Sequence, residues 1–155
     1  MEEQGLSISK EEVISFLKAN FVGDMSTTNG DKPTCSPIVY VVDDELSFYF
    51  VTNRDSYKAK NIISNPNVCL SVWRFSEMSV QLDGTAEEVT EEAKKEWVVE
   101  AFGEAATQDP NFWAPIFRIK RGDYAVFKIK PTWLRVLDLT HNTVRAKLTP
   151  YTQII

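Results

Sequence analysis

Two hydrophobic periods, one near two residues and one near 3.6, take turns along this chain. The first is helical. Ser9-Lys-Glu-Glu12 reads as a capping box, and Val13, Ile14, Leu17 and Phe21 then share one helical face, which predicts a helix from about Lys10 to Asn20. After Gly23 the period shortens. Met25 to Thr28 reads as a strand, Asn29-Gly30 as a hairpin turn, and Thr34 to Val42 as the returning strand with the apolar run Ile38 to Val42. Pro33 and Pro37 require that strand to start at an edge or to carry a bulge. Asp43 to Glu45 makes the next turn, and Leu46 to Val51 a third strand.

That strand runs straight into a helix. Thr52, Asn53 and Asp55 are turn and cap residues, Ala59, Ile62 and Ile63 follow at helical spacing, and Asn65-Pro66 ends the segment. Val68 to Trp73 and Met78 to Val89 alternate as strands, with Gly84 marking a bulge or a sharp bend. Thr90 is placed as the cap of a helix reaching Phe102, with Ala93, Trp97, Val98, Ala101 and Phe102 on one side and Gly103 as its C-terminal glycine. Asp109-Pro110 opens a short aromatic helical piece with Phe112, Trp113, Ile116 and Phe117, kept short by Pro115. Tyr124 to Leu139 is either a strand pair or one long bent strand broken at Pro131. The tail from His141 to Ile155 either frays or packs on a partner chain.

The sum is five to seven strands, mostly joined by hairpin-type turns, with two or three helices. This is mainly β (α+β): an antiparallel barrel with flanking helices in a single domain, residues 1–155. The helix after Thr52 is too short for a usual parallel crossover, and hairpin signals flank it on both sides.

Composition narrows the function classes. A length of 155 residues, 43% hydrophobic and 25% charged, suits one soluble globular domain. A net charge of −5 argues against a nucleic-acid partner bound through a broad basic surface. No apolar run is long enough to cross a bilayer, and the first residues lack a signal-peptide pattern. Two separated cysteines, Cys35 and Cys69, form no disulfide framework, so the expected location is the cytoplasm. With only one histidine, His141, no structural zinc site is expected.

The dinucleotide-binding glycine pattern, the phosphate-binding loop, the zinc-protease helix motif and the nucleophile elbow are all absent. Glu11-Glu12, Glu87-Glu88 and Glu91-Glu92 are sequence neighbours that do not face each other, so they are surface acids rather than a glycosidase pair. With no evident nucleophile or general base, any chemistry is expected to come from a bound cofactor. One stretch could seat the anionic end of such a group. The strand-to-helix junction after Val51 leaves backbone N–H groups free, and it carries hydroxyls (Thr52, Ser56, Tyr57) and cations (Arg54, Lys58, Lys60). The alternative is a solvated first turn with ordinary surface charges.

The residues Phe48-Tyr-Phe-Val-Thr-Asn-Arg-Asp-Ser-Tyr-Lys-Ala-Lys-Asn-Ile62, then Asn65-Pro-Asn-Val68 and a strand containing Gly84, resemble the pyridoxamine 5'-phosphate oxidase-like FMN-binding split barrels. The resemblance runs from about Lys10 to Leu139. It implies a six-stranded antiparallel split β-barrel, a homodimer, and FMN held between subunits. Position by position, it implies that Val51 and Thr52 touch the flavin and its phosphate, and that Tyr57 and Lys58 stand where the family usually has an Arg-Lys phosphate grip. Tyr57 departs from that arginine. Pro37, Ile38, Val39 and Tyr40 match the strand running along the isoalloxazine ring. Ser79 matches a position often held by a flavin-contacting glutamine, with Gln81 two residues along on the same face. Trp133 matches an aromatic near the partner's flavin. The Arg-x-His substrate clamp of true pyridoxamine phosphate oxidases is missing from Leu134 to His141, so vitamin B6 synthesis is not expected.

The resemblance thus implies an FMN-dependent oxidoreductase acting on an unknown small molecule, with a nicotinamide nucleotide or the substrate itself as electron donor. Two alternatives are a non-catalytic flavin-binding stress-response module and a haem-binding split barrel, which would have to use His141 as axial ligand.

Overall fold

Ser9 caps the first helix as its spacing requires. Its hydroxyl accepts from the Glu12 backbone N–H at 3.2 Å, and the Glu12 carboxylate accepts from the Ser9 N–H at 2.7 Å. The computed structural model describes residues 8–112, 124–140 and 151–155. In it, α1 (Lys10–Ala19) buries Val13, Phe16 and Leu17, while Ile14 and Phe21 are only partly buried.

Seven antiparallel strands follow: β1 (Val22–Asn29), β2 (Lys32–Val42), β3 (Phe48–Asn53), β4 (Asn67–Arg74), β5 (Met78–Glu88), β6 (Tyr124–Asp138) and β7 (Tyr151–Gln153). Their order is β3-β2-β1-β4-β5-β6-β7, and β3 also pairs with β6. That second pairing closes six strands into the expected barrel, and β7 is an addition beyond it.

The β1–β2 hairpin differs from its sequence reading by one residue. Asn29 pairs with Lys32, so the loop is Gly30-Asp31, and among these residues only Gly30 takes a positive φ, +62°. Glycine first in a two-residue loop matches the twist of the flanking strands. In the next turn Asp43 Oδ1 accepts from the N–H groups of Glu45 and Ser47 at 3.0 and 2.9 Å. Its other oxygen accepts from the Tyr49 hydroxyl at 3.0 Å; burial and the Asp43 charge push that phenol's pKa up.

Helix α2 (Tyr57–Ser64) is capped by Ser56, whose Oγ accepts from the Ala59 N–H at 3.2 Å. The expected caps Thr52, Asn53 and Asp55 lie before it: Asn53 Oδ1 holds the Asp55 N–H at 2.8 Å in an Asx turn. α2 packs against the barrel through Ala59 and Ile62, while Ile63 is exposed; Asn61 Nδ2 donates to the buried Thr27 hydroxyl at 3.0 Å. Asn65 leaves the helix in extended backbone before Pro66, as the residue before a proline should.

β6 is one bent strand rather than two. It pairs with β3 over Tyr124–Ile129 and with β5 over Phe127–Asp138. Asp83 faces Trp133 and Gly84 faces Pro131, so Thr132 is an extra residue on β6. The buried set therefore shifts phase, from Ala125, Phe127 and Ile129 before the bulge to Leu134 and Val136 after it. Gly84 is required here, because a Cβ would overlap the Lys130 carbonyl oxygen.

α3 (Glu92–Gln108) corrects two boundaries. Its N-cap is Glu91, not Thr90, and it continues through Gly103 for five more residues. A mid-helix glycine costs only about 1 kcal/mol, and the alanines that follow, Ala105 and Ala106, pack against a buried cluster that holds the helix on. Asp109 is the C-cap, and its side chain accepts from the Asn111 N–H at 2.8 Å. Trp113, Pro115, Ile116, Phe117 and His141 lie outside the described residues. The end of the tail does not fray: β7 pairs with Arg135–Leu137 of its own chain.

Two cores result. One fills the barrel, with Phe16, Leu17, Met25, Tyr40, Phe48, Phe50, Leu70, Leu82 and Phe127 among its members. The other lies outside the barrel wall, where Tyr49, Val51 and Val126 meet Val98 and Phe102 of α3, and Phe112.

Candidate functional site

The barrel is split between β2 and β3. These strands pair only over Tyr40–Val42 and Phe48–Phe50, after which Pro37–Val39 and Val51–Asn53 diverge. The opening is a groove of about 210 Å³ lined by Pro37, Ile38, Val39, Phe50, Val51, Thr52, Asn53 and Lys58. One hairpin that zips over only three residue pairs leaves strand edges facing the gap, and unpaired backbone groups there need a partner.

Lys58 is the one side chain with a full charge among the groove residues. It lies in the first turn of α2 and is partly buried. Burial holds its ammonium below the ordinary lysine pKa of 10.5. No carboxylate pairs with it among the described residues. A partly desolvated cation without a counter-ion, beside a helix N-terminus, is an environment that an anion improves. Thr52 is buried, and its Oγ1 lies 3.1 Å from Ser56 Oγ, which ties the strand end to the helix cap. Thr52 and Lys58 both line the groove, and Ser56 supports Thr52 from behind the lining.

Six of the ten residues expected to hold the cofactor come together here: Pro37, Ile38, Val39, Val51, Thr52 and Lys58. The other four lie elsewhere. The ring of Tyr40 points into the barrel, 1% exposed, with its hydroxyl 3.0 Å from the Leu17 carbonyl oxygen. Tyr57 is 82% exposed and outside the groove lining. Ser79 and Trp133 sit on β5 and β6, on the outward face of the opposite part of the barrel. Of the junction's other cations, Lys60 is exposed and Arg54 is held by Glu88 through two contacts of 2.7 and 2.9 Å. Phe50 and Asn53 line the groove without having been singled out. Their position beside Val51 and Thr52 was the available signal, but whether they face the gap depends on where β2 leaves β3.

Two larger cavities lie against α3. One, about 410 Å³, includes Tyr40, Trp97, Glu100 and Glu104; the other, about 620 Å³, includes Glu88, Glu92, Glu96 and Glu100. Lys18 lines the first and Arg54 and Lys95 the second, but carboxylates outnumber cations in both, and Arg54 and Lys95 are already paired with Glu88 and Glu92, so neither cavity matches the groove as an anion seat.

The family model described as pyridoxamine 5'-phosphate oxidase matches residues 9–138. The pyridoxine/pyridoxamine 5'-phosphate oxidase of Gloeothece citriformis is 32% identical over 78 residues, which are 50% of this chain and 36% of that protein. The match thus spans little more than a third of that curated relative. Among solved structures, a conserved hypothetical protein of Mycobacterium tuberculosis has a TM-score of 0.72 at 18% identity, with 96% of each chain covered. A FAD-binding protein of Mesorhizobium loti has a TM-score of 0.64 at 19% identity, covering 83% of this chain and 94% of that one. At these identities the likeness to the two structures is one of fold.

Proposed function

Because the chain belongs to the pyridoxamine 5'-phosphate oxidase family, we propose that the groove between β2 and β3 binds FMN and that the protein is a flavin-dependent oxidoreductase. The observation that carries this reading is Lys58: a partly buried ammonium with no carboxylate partner among the described residues, beside the Thr52 hydroxyl and the start of α2. A phosphate monoester supplies the missing charge and accepts from all three. The split strand edges of Pro37–Val39 offer backbone groups to the ring system, and Val39 and Val51 give it apolar walls.

When bound, the flavin supplies the two-electron redox chemistry. The chain's own residues bind and orient it and keep water from one side, with Lys58 the one ionisable side chain among the groove residues. The substrate is a small molecule, and a nicotinamide nucleotide or the substrate itself acts as electron donor.

The protein works as a homodimer with the flavin at the subunit interface. A groove of about 210 Å³ falls short of the roughly 300–1,000 Å³ of sites that enclose a small molecule, so one protomer supplies part of the site. The outward face of β1 and β4 carries exposed Val22 and Trp73, and exposed Tyr151 lies on β7 beyond β6, apolar surface of the kind an interface uses. The test is a titration of the purified protein with FMN, read by quenching of flavin fluorescence and followed by addition of a nicotinamide nucleotide. Saturable binding and bleaching of the flavin band are expected. Binding without bleaching by any donor would favour the flavin-binding stress module, and no binding would remove the reading.

A further inference from the structure

Pro33 and Pro37 both lie inside β2, and their backbone nitrogens point the same way. Tyr40 N–H donates to the Phe21 carbonyl at 3.0 Å, on the side of β1. Backbone groups alternate sides along a strand. The even-numbered residues of β2 therefore turn theirs to β1, and the odd-numbered ones turn theirs to the opposite edge. Pro33 and Pro37 face Thr28 and Asp24 at positions that ask no hydrogen bond of them, so they cost the β1–β2 ladder nothing. What they alter is the other edge, which at Pro37 borders the groove.

β3 stands across that edge. The β2–β3 hairpin opens with Asp43 N–H donating to the Ser47 carbonyl at 3.0 Å, and its pairing stops at Tyr40 and Phe50. The same register carried further would set Val39 against Val51 and Pro37 against Asn53. Both are positions where facing residues exchange hydrogen bonds. Residue 37 would have to donate to the Asn53 carbonyl, and a proline has no N–H to give. On the other strand that carbonyl already accepts from the Ser56 N–H at 3.0 Å, in the turn that leads into α2. With the pair beyond it forbidden, the Val39–Val51 pair would stand alone at the end of a ladder. It does not form, and no acceptor reaches the Val39 N–H among the described residues.

We infer that Pro37 keeps the groove open, by denying β2 and β3 the hydrogen bond that would zip the barrel shut across it. It is a positioning residue for the ligand: it leaves the Val39 N–H free for a bound group instead of for β3. A proline on a strand edge blocks pairing in the same way wherever a sheet must end. Pro33 supplies the comparison. It lies on the same edge of the same strand, but the continued register would set it against Tyr57, which is already in α2, so no strand competes there.

Amide hydrogen exchange on the flavin-free protein tests this, joined by FMN titration of the same variants. The titration rests on the flavin reading above, and the exchange does not. In the wild type the Val39 amide should exchange at least about tenfold faster than that of Val41, which lies within the hairpin. Pro37→Ala restores the donor, and the Asn53 carbonyl keeps a second lone pair to receive it. Exchange at Val39 should then slow at least about tenfold, and FMN should bind at least about fivefold more weakly, because the strands must part before the ligand enters. Pro33→Ala should change neither. Should Pro37→Ala fail to fold, Pro37→Val restores the same N–H on a residue that suits a strand. A wild-type Val39 amide as protected as that of Val41 overturns the inference, as does exchange that the restored donor leaves unchanged or that Pro33→Ala slows equally. Slowed exchange with undiminished FMN affinity overturns the positioning role. A wild type that binds no FMN removes the flavin reading, and the exchange rates then decide the inference alone.

Discussion

The barrel wall has two outer faces that differ in sequence pattern and are treated differently in the fold. Around β3 and the first half of β6, outward Tyr49, Val51 and Val126 are covered by Val98 and Phe102 of α3. Around β1, β4, β5 and the second half of β6, outward Val22, Trp73, Trp133 and Leu137 have no helix over them among the described residues. β3 is apolar on both sides through Phe48–Val51, whereas β4 and β5 alternate buried and exposed positions. The first is covered by α3, and the second is uncovered among the described residues. The bulge at Thr132 divides the two on β6, and the β2–β3 groove lies on the seam at the other side, with Val39 packed toward the α3 cluster and Pro37 facing Asp24 on the uncovered side. A groove at such a seam has one wall from the barrel and one side open.

The sealed face should be the more expensive to damage. Phe102→Ala removes a side chain only 2% exposed, and a loss of about 3–5 kcal/mol is expected by urea denaturation. A loss under 1 kcal/mol would mean that α3 is not a structural cover. At the seam, Lys58→Ala should weaken FMN binding by about 2–5 kcal/mol while leaving the melting temperature nearly unchanged. The boundary itself is tested by Gly84→Ala, whose methyl must displace the Lys130 carbonyl; a cost of about 1–3 kcal/mol is expected, as for overpacking. On the bare face Trp73→Ser removes a residue 59% exposed. Stability of the protomer should change by less than about 0.5 kcal/mol, while dimer association weakens; the reverse pattern would place Trp73 in a core.

The smallest effect is one of pH. Burial lowers the Lys58 pKa below 10.5, so the charged form is disfavoured in the folded chain. Its cost is fully present at pH below the folded pKa and is relieved as pH rises through it. Flavin affinity should run the other way, falling as the ammonium loses its proton at a pH below that of an ordinary lysine. Lys58→Arg should abolish that decline, because arginine stays charged throughout.

Much of this was legible in the chain. Helix α1 follows from its capping box, and the alternating strands β4 and β5 from their period. What sequence missed depended on distant contacts. Gly103 reads as a stop but stays helical because Ala105 and Ala106 find a cluster built by β3 and β6. Ser56 rather than Thr52 caps α2, because β3 continues to Asn53 through its pairing with Tyr124. Of the site, Lys58 and Thr52 could be named from their spacing and the family resemblance. Ser79 and Trp133 could be named but not placed: they lie on the bare face, where only a second protomer could bring them to a flavin. The pairing of the tail with β6 carries no local signal at all, since Tyr151–Gln153 is too short to announce a strand.

The most direct test compares FMN with riboflavin, which lacks only the phosphate, by equilibrium titration of the same preparation. If Lys58, Thr52 and the start of α2 grip a phosphoryl group, FMN should bind at least about tenfold tighter than riboflavin, and Lys58→Ala should shrink that gap. Equal affinities for the two flavins, or a gap that Lys58→Ala leaves untouched, would contradict the phosphate seat.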